Sequence, residues 1–286
     1  GRIAAEVREV IRKTVYEGMA IIEVCEKTET LILKRSGKPA FPCNVSINEV
    51  AAHYTSPLGD KRKIPANSIV KVDIGVHVDG YIADTAVTVC FNPEYEDLMR
   101  TAEEALEVGV KTLHPGMSTP SFGSFMEKTI KAHGHKPVSN LTGHQVGRFL
   151  VHTGKSLPNV FHLSTAKVSV GEVYAVEPFV TVADAAGKIE YGREAHIFRF
   201  LKRKSLKNVN AQQLLDYIIK NFQTLPFAER WLQKIVPPEH YKTAFSELLS
   251  SKTLMAYPVF IEASGKPVAQ AEHTVVVTDK GCRILT

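Results

Sequence analysis

The stretch Ile69–Phe91 reads IVKVDIGVHVDGYIADTAVTVCF, and apolar residues alternate with other side chains on both sides of Asp79-Gly80. Alternation with a period of two is typical of β-strands, and Asp-Gly between two such runs is a strong signal for a two-residue hairpin turn. The stretch therefore predicts an antiparallel hairpin, and the rest of the fold must be built around it.

This hairpin also predicts where two carboxylates lie. A two-residue turn at Asp79-Gly80 places Asp73 opposite Ala86, and Asp84 then lies diagonally from Asp73 on the same face. Two desolvated carboxylates at that separation repel each other, and a divalent cation between them would reverse the penalty. A pair of carboxylates on a solvated sheet face is the alternative. His77 shares the face by parity, and alone it is more typical of a packed or solvated side chain than of a ligand.

Helical and strand-like segments alternate along the chain outside the hairpin. Apolar residues at helical spacing predict two helices within residues 3–35, further helices at 97–113 and 121–133, and a helical region at 210–254. Residues 173–182 and 269–277 are strand-like, and the turn residues between Phe41 and Pro57 predict a loop that contains His53. This order indicates an α/β (α+β) chain with a helical insertion.

Two glutamates in strand-like context are candidates for a buried site. Glu177 precedes Pro178, which cannot donate to a ladder and should end the paired part of its strand, and Glu272 precedes a run of valines. A buried carboxylate is rare without a partner, so an ion pair or an edge position is the alternative to a metal ligand. A lone histidine is usually structural, but His144 and His152 would here complete a mixed oxygen and nitrogen ligand set.

Composition excludes several classes of protein. The 286 residues are 44% hydrophobic, and charged residues interrupt every apolar run, so we expect a soluble protein with no membrane segment. The four scattered cysteines form no CxxC pair, and the first residues do not resemble a signal peptide, which favours the cytoplasm. The net charge of +5 is too small to indicate a specific nucleic-acid partner. The basic stretch 200–207 is typical of a solvated face, with a weak RNA or ribosome contact as the alternative.

A series of short motifs resembles type II methionine aminopeptidases, a branch of metallopeptidase family M24. The motifs are Phe41-Pro42, SINEVAAHYT (46–55), VDIG (72–75), Gly80 with ADTA (83–86), Gly143-His144, His152, EPF (177–179) and EHT (272–274). The resemblance implies a pita-bread fold with a curved antiparallel sheet and pseudo-twofold symmetry, formed by residues 1–286 as one catalytic domain. TLPFAERWL (224–232) resembles the type II branch in particular and implies a helical insertion at 203–254. The short N-terminal region is similar to the archaeal form.

The resemblance implies a site with two divalent metal ions, for which Co, Mn, Fe and Zn are all suitable. Asp84 and Glu272 would bridge both ions, Asp73 would bind one, and His144 with Glu177 would bind the other. The implied reaction is attack of a metal-activated hydroxide on the scissile carbonyl, with both ions stabilising the oxyanion. Glu177 would also carry the proton to the leaving amine.

The same resemblance implies the substrate and the residues that contact it. The substrate is the N-terminus of a nascent polypeptide, from which methionine is removed when the second residue is small. His53 and His152 would contact the scissile peptide, and the methionine pocket would include Phe41, Val151, His196 and Tyr257. At position 271 the family pattern leads us to expect a bulky aromatic residue such as phenylalanine, and this chain has alanine.

Other functions fit part of the sequence. A prolidase-like or creatinase-like hydrolase would share the fold and the metal ligands, and such relatives usually carry an additional N-terminal domain. A non-catalytic binding protein on the same fold would typically have lost ligands, and all five are present here. A ribosome-associated factor is compatible with catalysis. We expect a monomer.

Overall fold

The structure is a computed structural model that describes residues 1–286, and its helices and strands confirm the expected α/β class. The helices are α1 (Arg2–Thr14), α2 (Ile21–Lys34), α3 (Glu96–Thr112), α4 (Thr119–Ala132), α5 (Val209–Phe222) and α6 (Pro238–Ser250), with short 3-10 helices at Pro93–Tyr95 and Glu229–Leu232. The strands are β1 (Lys38–Pro39), β2 (Asn44–Ile47), β3 (Val50–Ala52), β4 (Ile69–Val78), β5 (Tyr81–Cys90), β6 (Lys136–Pro137), β7 (Thr142–Val146), β8 (Ser156–Pro158), β9 (Val173–Val176), β10 (Phe179–Thr181), β11 (Ile189–Phe200), β12 (Phe227–Ala228), β13 (Leu254–Glu262), β14 (Val268–Gln270), β15 (His273–Thr278) and β16 (Gly281–Ile284).

Strands β4 and β5 form the predicted hairpin in the predicted register. Asp73 pairs with Ala86, and Gly75 pairs with Asp84, which places the two aspartates diagonally on one face. The turn residues Asp79 and Gly80 have φ angles of 50° and 86°. Positive φ at both central positions is the type I′ geometry whose twist matches that of the flanking strands, so the turn fixes the register.

The strands form four antiparallel sheets. Strands β1, β4, β2 and β5 form the first, with β4 between the others, and β14, β10 and β6 form the second. The third has the order β12-β11-β13-β3, and the fourth has the order β16-β15-β9-β7-β8. Each sheet contributes residues to a central cavity, which therefore lies where the sheets meet.

A helix pair covers the strands in each half of the molecule. Helices α1 and α2 bury residues such as Val7 and Val24 against β2 and β4, within a core of 20 buried residues. Helices α3 and α4 bury residues such as Leu106 and Phe122 against β9, β14 and β15, within a core of 19 buried residues. The helix pair followed by strands thus occurs twice, in agreement with the expected pseudo-twofold symmetry.

The predicted helical region at 210–254 consists of α5 and α6, joined by β12 and the 3-10 helix Glu229–Leu232. It is inserted between β11 and β13, which pair with each other along most of their length. The two helices enclose a separate core of 13 buried residues. The side chain of Asn208 accepts hydrogen bonds from the backbone N–H groups of Asn210 and Ala211, and it thereby caps the start of α5.

The two strands predicted at 173–182 and 269–277 are each interrupted, which corrects their predicted extent. The first is divided into β9 and β10 at Glu177-Pro178, as the proline predicts, and the second into β14 and β15 at Ala271-Glu272. Strand β9 pairs with β15 and β10 pairs with β14, so the two interruptions face each other. Both glutamates are therefore at positions where the chain passes from one sheet to another.

Candidate metal centre and substrate cavity

A cavity of about 350 Å³ lies where the sheets meet. Its walls are formed by 19 residues, which are Phe41, Asn44, Ala52, His53, Asp73, Asp84, Asn140, Leu141, Thr142, His144, Val151, His152, Glu177, Phe179, Ile197, Pro226, Tyr257, Phe260 and Glu272. Ten of the eleven residues that the sequence suggested for the site are among them. Roles in metal or substrate binding for these residues remain predictions, developed below.

The first pair of carboxylates belongs to the hairpin. Asp73 on β4 and Asp84 on β5 both line the cavity, and the Asp84 side chain is almost completely buried, at 4% exposure. The side chain of Asn44 on β2, which pairs with Asp73 in the ladder, donates a hydrogen bond of 3.2 Å to Asp73 Oδ2. The hairpin and β2 together hold this part of the site.

Glu177 and Glu272 reach the cavity from the two strand interruptions. The Gln270 side chain lies between them, with Nε2 3.3 Å from Glu177 Oε2 and 3.5 Å from Glu272 Oε2. The Asn159 side chain donates to the backbone oxygen of Glu177 at 3.2 Å. Both glutamates lie between strands, so no β-ladder holds them in place. The side chains of Gln270 and Asn159 restrict their movement instead.

His144 on β7 brings an imidazole to the carboxylates. Its Nε2 atom lies 3.6 Å from Asp84 Oδ2 and 3.3 Å from Glu177 Oε1. Ligand atoms of Asp84, His144 and Glu272 all lie within 4.8 Å of one another. This spacing suits oxygen and nitrogen ligands around a divalent cation.

The ionised forms of the four carboxylates are electrostatically unfavourable when no cation is bound. Burial raises the pKa of Asp84, Glu177 and Glu272 well above the usual values, and mutual repulsion of the acidic groups raises the pKa of each further. Burial also raises the pKa of Asp73 to about 6. A divalent cation would reverse this preference by favouring the ionised forms.

Several polar atoms of the site are buried with no hydrogen-bond partner in the protein. They are Asp73 Oδ1, Asp84 Oδ1 and His144 Nδ1. Burial, followed by the nearby His152, lowers the pKa of His144 well below its usual value, which keeps the imidazole neutral and able to bind a cation. Unsatisfied oxygen atoms and a neutral imidazole are what a metal site requires, so these residues fit divalent cations.

His53 and His152 border the metal-binding region. The His152 ring lies 4.1 Å from the His144 ring, centroid to centroid. His53 has a φ angle of 66°, which is uncommon for a residue other than glycine, and its ring lies 4.1 Å from Phe260 and 5.5 Å from Tyr257. Burial, followed by the charge of His152, lowers the pKa of His53 to about 4.

Part of the cavity lining is apolar. Phe41, Val151 and Tyr257, which the sequence suggested, belong to it. The structure adds residues that sequence reasoning missed, namely Ala52, Leu141, Phe179, Ile197, Pro226 and Phe260. No local pattern distinguishes these residues from ordinary core positions, although Ala52, Phe179 and Pro226 lie within quoted motifs.

His196 is absent from the residues that line the cavity. Its Nε2 lies 3.1 Å from Glu194 Oε2, and its ring packs edge-on against Tyr54 at 5.8 Å. The register of β11 against β13 shifts on both sides of Ala195, and the neighbouring Ile197 lines the cavity. A bulge changes which side chains face inward, and the motif match from which His196 was predicted does not detect it.

His77 does not line the cavity either, and it is buried, in agreement with its interpretation as a packed side chain. Its Nδ1 accepts a hydrogen bond of 3.2 Å from the backbone N–H of Gly80, and its ring lies 5.8 Å from that of Phe149. Sequence reasoning missed Asn44 and Gln270 as partners of the carboxylates. Alternation along the strands could have placed Gln270 on the face of Glu272, but nothing local indicated its contact with Glu177.

Carboxylates and an imidazole that converge on a cavity are the ligand set of a metallohydrolase, and the chain belongs to metallopeptidase family M24, which it matches over residues 1–279. Within that family it is similar to archaeal proteins named methionine aminopeptidase. The protein from Methanocaldococcus jannaschii is 41% identical over 286 residues, covering 100% of this chain and 96% of the relative. The one from Thermococcus kodakarensis is 42% identical over 287 residues, covering 100% and 97%.

Solved structures of lower identity show the same fold. A thermophilic Arx1 matches with a TM-score of 0.84 at 19% identity, covering 99% of this chain and 87% of the other. Methionine aminopeptidase from Thermotoga maritima matches with a TM-score of 0.71 at 21% identity, covering 99% and 92%. Prolidase from Pyrococcus furiosus matches with a TM-score of 0.58 at 18% identity, covering 100% and 60%. These matches confirm the expected pita-bread fold.

The helices do not include a membrane span. None of them is both long enough and apolar enough to cross a bilayer. This agrees with the charged residues that interrupt each apolar run in the sequence.

Proposed function

We propose that this protein is a methionine aminopeptidase of the type II branch, which removes the N-terminal methionine of nascent polypeptides whose second residue is small. One observation carries the proposal: the five predicted ligands line one cavity that apolar residues also line. The five are Asp73, Asp84, His144, Glu177 and Glu272. The names of relatives that are about 40% identical over the whole chain support it.

The cofactor in this proposal is a pair of divalent metal ions, chosen from Co, Mn, Fe and Zn. Asp84 and Glu272 would hold both ions, Asp73 would hold one of them, and His144 with Glu177 would hold the other. The buried oxygens of Asp73 and Asp84 that have no hydrogen-bond partner support these assignments. When bound, the ions supply Lewis acidity that polarises the scissile carbonyl and lowers the pKa of water.

The residues of the chain orient the substrate and move the proton. Glu177, at an interruption between strands, accepts a proton and transfers it to the leaving amine. His53 and His152, which both line the cavity, contact the scissile peptide and stabilise the charge that develops on its oxygen. Both imidazoles are kept neutral, because burial lowers the pKa of each.

The apolar part of the lining selects the methionine side chain. Phe41, Val151 and Tyr257 surround space that a flexible thioether fills well, and Phe179 and Phe260 add aromatic surface. His196 does not line the cavity, so its predicted contact with the substrate would have to be made from outside the lining. The insertion contributes Pro226 to the wall, and a second residue of the substrate with a long side chain would meet this side of the cavity.

The proposal assigns residues 1–286 to one catalytic domain, with the type II insertion at 203–254. Residues 202–254 contain nine lysines and arginines and four acidic residues, so this segment carries a net charge equal to the +5 of the whole chain. That concentration of charge supports a transient contact with the ribosome, close to nascent N-termini. The four free cysteines support a cytoplasmic location. The protein acts as a monomer.

Metal analysis coupled to peptide hydrolysis tests the proposal. Metal-free protein should be inactive, and Mn or Co should restore cleavage of Met-Ala-Ser with two ions bound per chain. Met-Lys-Ser should be cleaved several hundredfold more slowly, because a difference of about 4 kcal/mol in transition-state binding gives about that ratio. Full activity without metal would refute the proposal. Equal cleavage of the two peptides would indicate a broad aminopeptidase.

Xaa-Pro dipeptides, assayed alongside these peptides, distinguish the proposed function from the main alternative, a prolidase. A prolidase would cleave Xaa-Pro dipeptides efficiently without removing methionine. We expect efficient removal of methionine and poor cleavage of Xaa-Pro dipeptides, because Phe41, Val151 and Tyr257 give the cavity an apolar surface for the first side chain.

A further inference from the structure

The two carboxylates that are proposed to bridge the metals lie on strands of different sheets. Asp84 is in β5, which pairs with β4 only, whereas Glu272 lies between β14 and β15, which belong to two other sheets. Asp84 and Glu272 nevertheless approach each other within 4.8 Å, measured between ligand atoms. No β-ladder joins β5 to β14 or β15, so something else must hold the carboxylates at this separation.

Threonine hydroxyl groups replace the ladder at this junction. The Thr274 hydroxyl accepts a hydrogen bond from the backbone N–H of Asp84 and donates one to its backbone oxygen, both at 2.7 Å. The Thr88 hydroxyl does the same for Gln270, at 3.0 Å from the N–H and 2.6 Å from the oxygen. Thr88 follows Asp84 by the same four residues by which Thr274 follows Gln270, so the two arrangements are reciprocal, in agreement with the expected pseudo-twofold symmetry.

A third hydroxyl lies between these two. Thr85 donates a hydrogen bond of 2.8 Å to the backbone oxygen of Glu272, and Arg8 on α1 donates one of 2.6 Å to the Thr85 hydroxyl. Thr85, Thr88 and Thr274, which we call the threonine seam, are at most 5% exposed. Each of them binds the backbone of Asp84, of Glu272 or of Gln270, and the Gln270 side chain in turn contacts Glu177 and Glu272.

We propose that the threonine seam is a positioning device that sets the separation of Asp84 and Glu272 for a pair of metal ions. This inference rests on the proposed function, in which both carboxylates bridge the pair. Buried carboxylates repel each other before metal binds, and hydrogen bonds to the two backbones oppose their separation. Groups that orient the ligands of a metal typically change its affinity 10- to 100-fold when they are removed.

The test compares variants of one hydroxyl at a time. Thr274→Val and Thr88→Val remove the hydroxyl with little change of shape, and Thr274→Ser and Thr88→Ser retain it. Thr181→Val is the matched control, because Thr181 is fully buried and donates a single hydrogen bond, of 2.8 Å, to the backbone oxygen of Pro267. Thermal unfolding of each metal-free variant measures the loss of stability. Titration with Mn or Co, followed by calorimetry and by the visible absorption of Co, measures the affinity for each ion.

We expect Thr274→Val and Thr88→Val to weaken binding of at least one ion about tenfold or more and to change the Co absorption. The serine variants should restore both, and Thr181→Val should lose stability without losing affinity. Unchanged affinity in both valine variants, or weakened affinity that serine does not restore, would overturn the role of the seam. If Thr274→Val does not fold, Thr88→Val and Thr88→Ser provide the same test. Wild-type protein that binds no pair of ions would instead contradict the proposed function.

Discussion

His53 occupies an unusual backbone conformation at the cavity wall. Its φ of 66° places a non-glycine residue in the left-handed region, which costs on the order of 1–3 kcal/mol and persists where surrounding contacts require it. His53 is in contact with Tyr257 and Phe260, and its Nδ1 is buried without a partner. A strained, unsatisfied imidazole at a cavity agrees with a role in substrate binding.

Replacement of His53 by alanine should lower kcat by about a hundredfold, as loss of one stabilising donor does in other hydrolases. The content of bound metal should remain that of the wild type, because His53 is not among the proposed ligands. Steady-state kinetics and metal analysis of the same preparation measure both quantities. His133→Ala is the control, since His133 pairs with Glu104 on the surface. Wild-type turnover in His53→Ala would show that the residue is structural.

Asp60 predicts a pH dependence of stability that is independent of the metal centre. Burial opposes its ionisation, but hydrogen bonds from Tyr54, Arg62 and Ser56 outweigh burial and lower the pKa of Asp60 to about 2. A lowered folded-state pKa stabilises the protein above pH ~4, and this contribution is lost as the pH falls toward 2. The full shift would be worth about 2.5 kcal/mol, but the Arg62 side chain is 46% exposed and solvent screens its interaction, so we expect roughly 1 kcal/mol.

Asp60→Asn should therefore lower the free energy of unfolding at pH 7 and flatten its decline between pH 4 and pH 2. Urea unfolding at several pH values measures this difference. Asp216→Asn is the control, because Asp216 is exposed on the insertion. If Asp60→Asn and the wild type show parallel curves, the hydrogen bonds do not contribute as argued.

At the scale of elements, a buried ion pair fastens the insertion to the body of the protein. Arg230, in the 3-10 helix Glu229–Leu232, pairs with Glu29 on α2, and the two side chains are only 4% and 11% exposed. Arg230 also donates to Thr55 Oγ1 at 2.8 Å and to the Ser56 backbone oxygen at 3.0 Å. The contact thus joins the insertion to the segment that follows His53.

Arg230→Ala should lower the free energy of unfolding by about 3–5 kcal/mol, because Glu29 would remain as an uncompensated buried charge. The double variant Arg230→Ala with Glu29→Ala should lose less than the sum of the single variants. Chemical denaturation of the four proteins gives the coupling energy. Lys131→Ala is the control, since Lys131 and Glu127 form an exposed pair whose loss should cost no more than about 0.5 kcal/mol. A loss below about 1 kcal/mol for Arg230→Ala would contradict the role of this contact.

At the scale of the whole molecule, the proposed metal ligands come from both halves of the chain. Asp73 and Asp84 lie in the first half, whereas His144, Glu177 and Glu272 lie in the second. Ions bound between the halves should stabilise their association and remove the repulsion between buried carboxylates.

Removal of metal should therefore lower the melting temperature. Free metal at about 100 times its Kd stabilises a folded protein by about 2.7 kcal/mol, which for a chain of this size corresponds to roughly 4–5 °C. Calorimetry of metal-free and Mn-loaded protein measures the shift. Asp84→Asn should melt at the same temperature with or without Mn. Equal melting temperatures for the two forms of the wild type would indicate that no ion bridges the halves.

The sequence by itself determined the features that short-range forces control. The β4–β5 register, and with it the diagonal placement of Asp73 and Asp84, followed from a two-residue turn and the alternation of side chains. The break after Glu177 followed from the missing N–H of Pro178. Motif resemblance then suggested a ligand set, and ten of the eleven suggested site residues line one cavity.

Only the tertiary structure decided how these parts meet. Thr274 bonds the backbone of Asp84 from 190 residues away, and Gln270 lies between Glu177 and Glu272, because packing of the two halves brings those strands together. The shift in register around Ala195 placed Ile197 in the cavity lining and left His196 beside Glu194. Periodicity reports the forces between near neighbours in the chain, whereas contacts across the sheets depend on how complete elements pack, and that packing is not encoded in any short stretch.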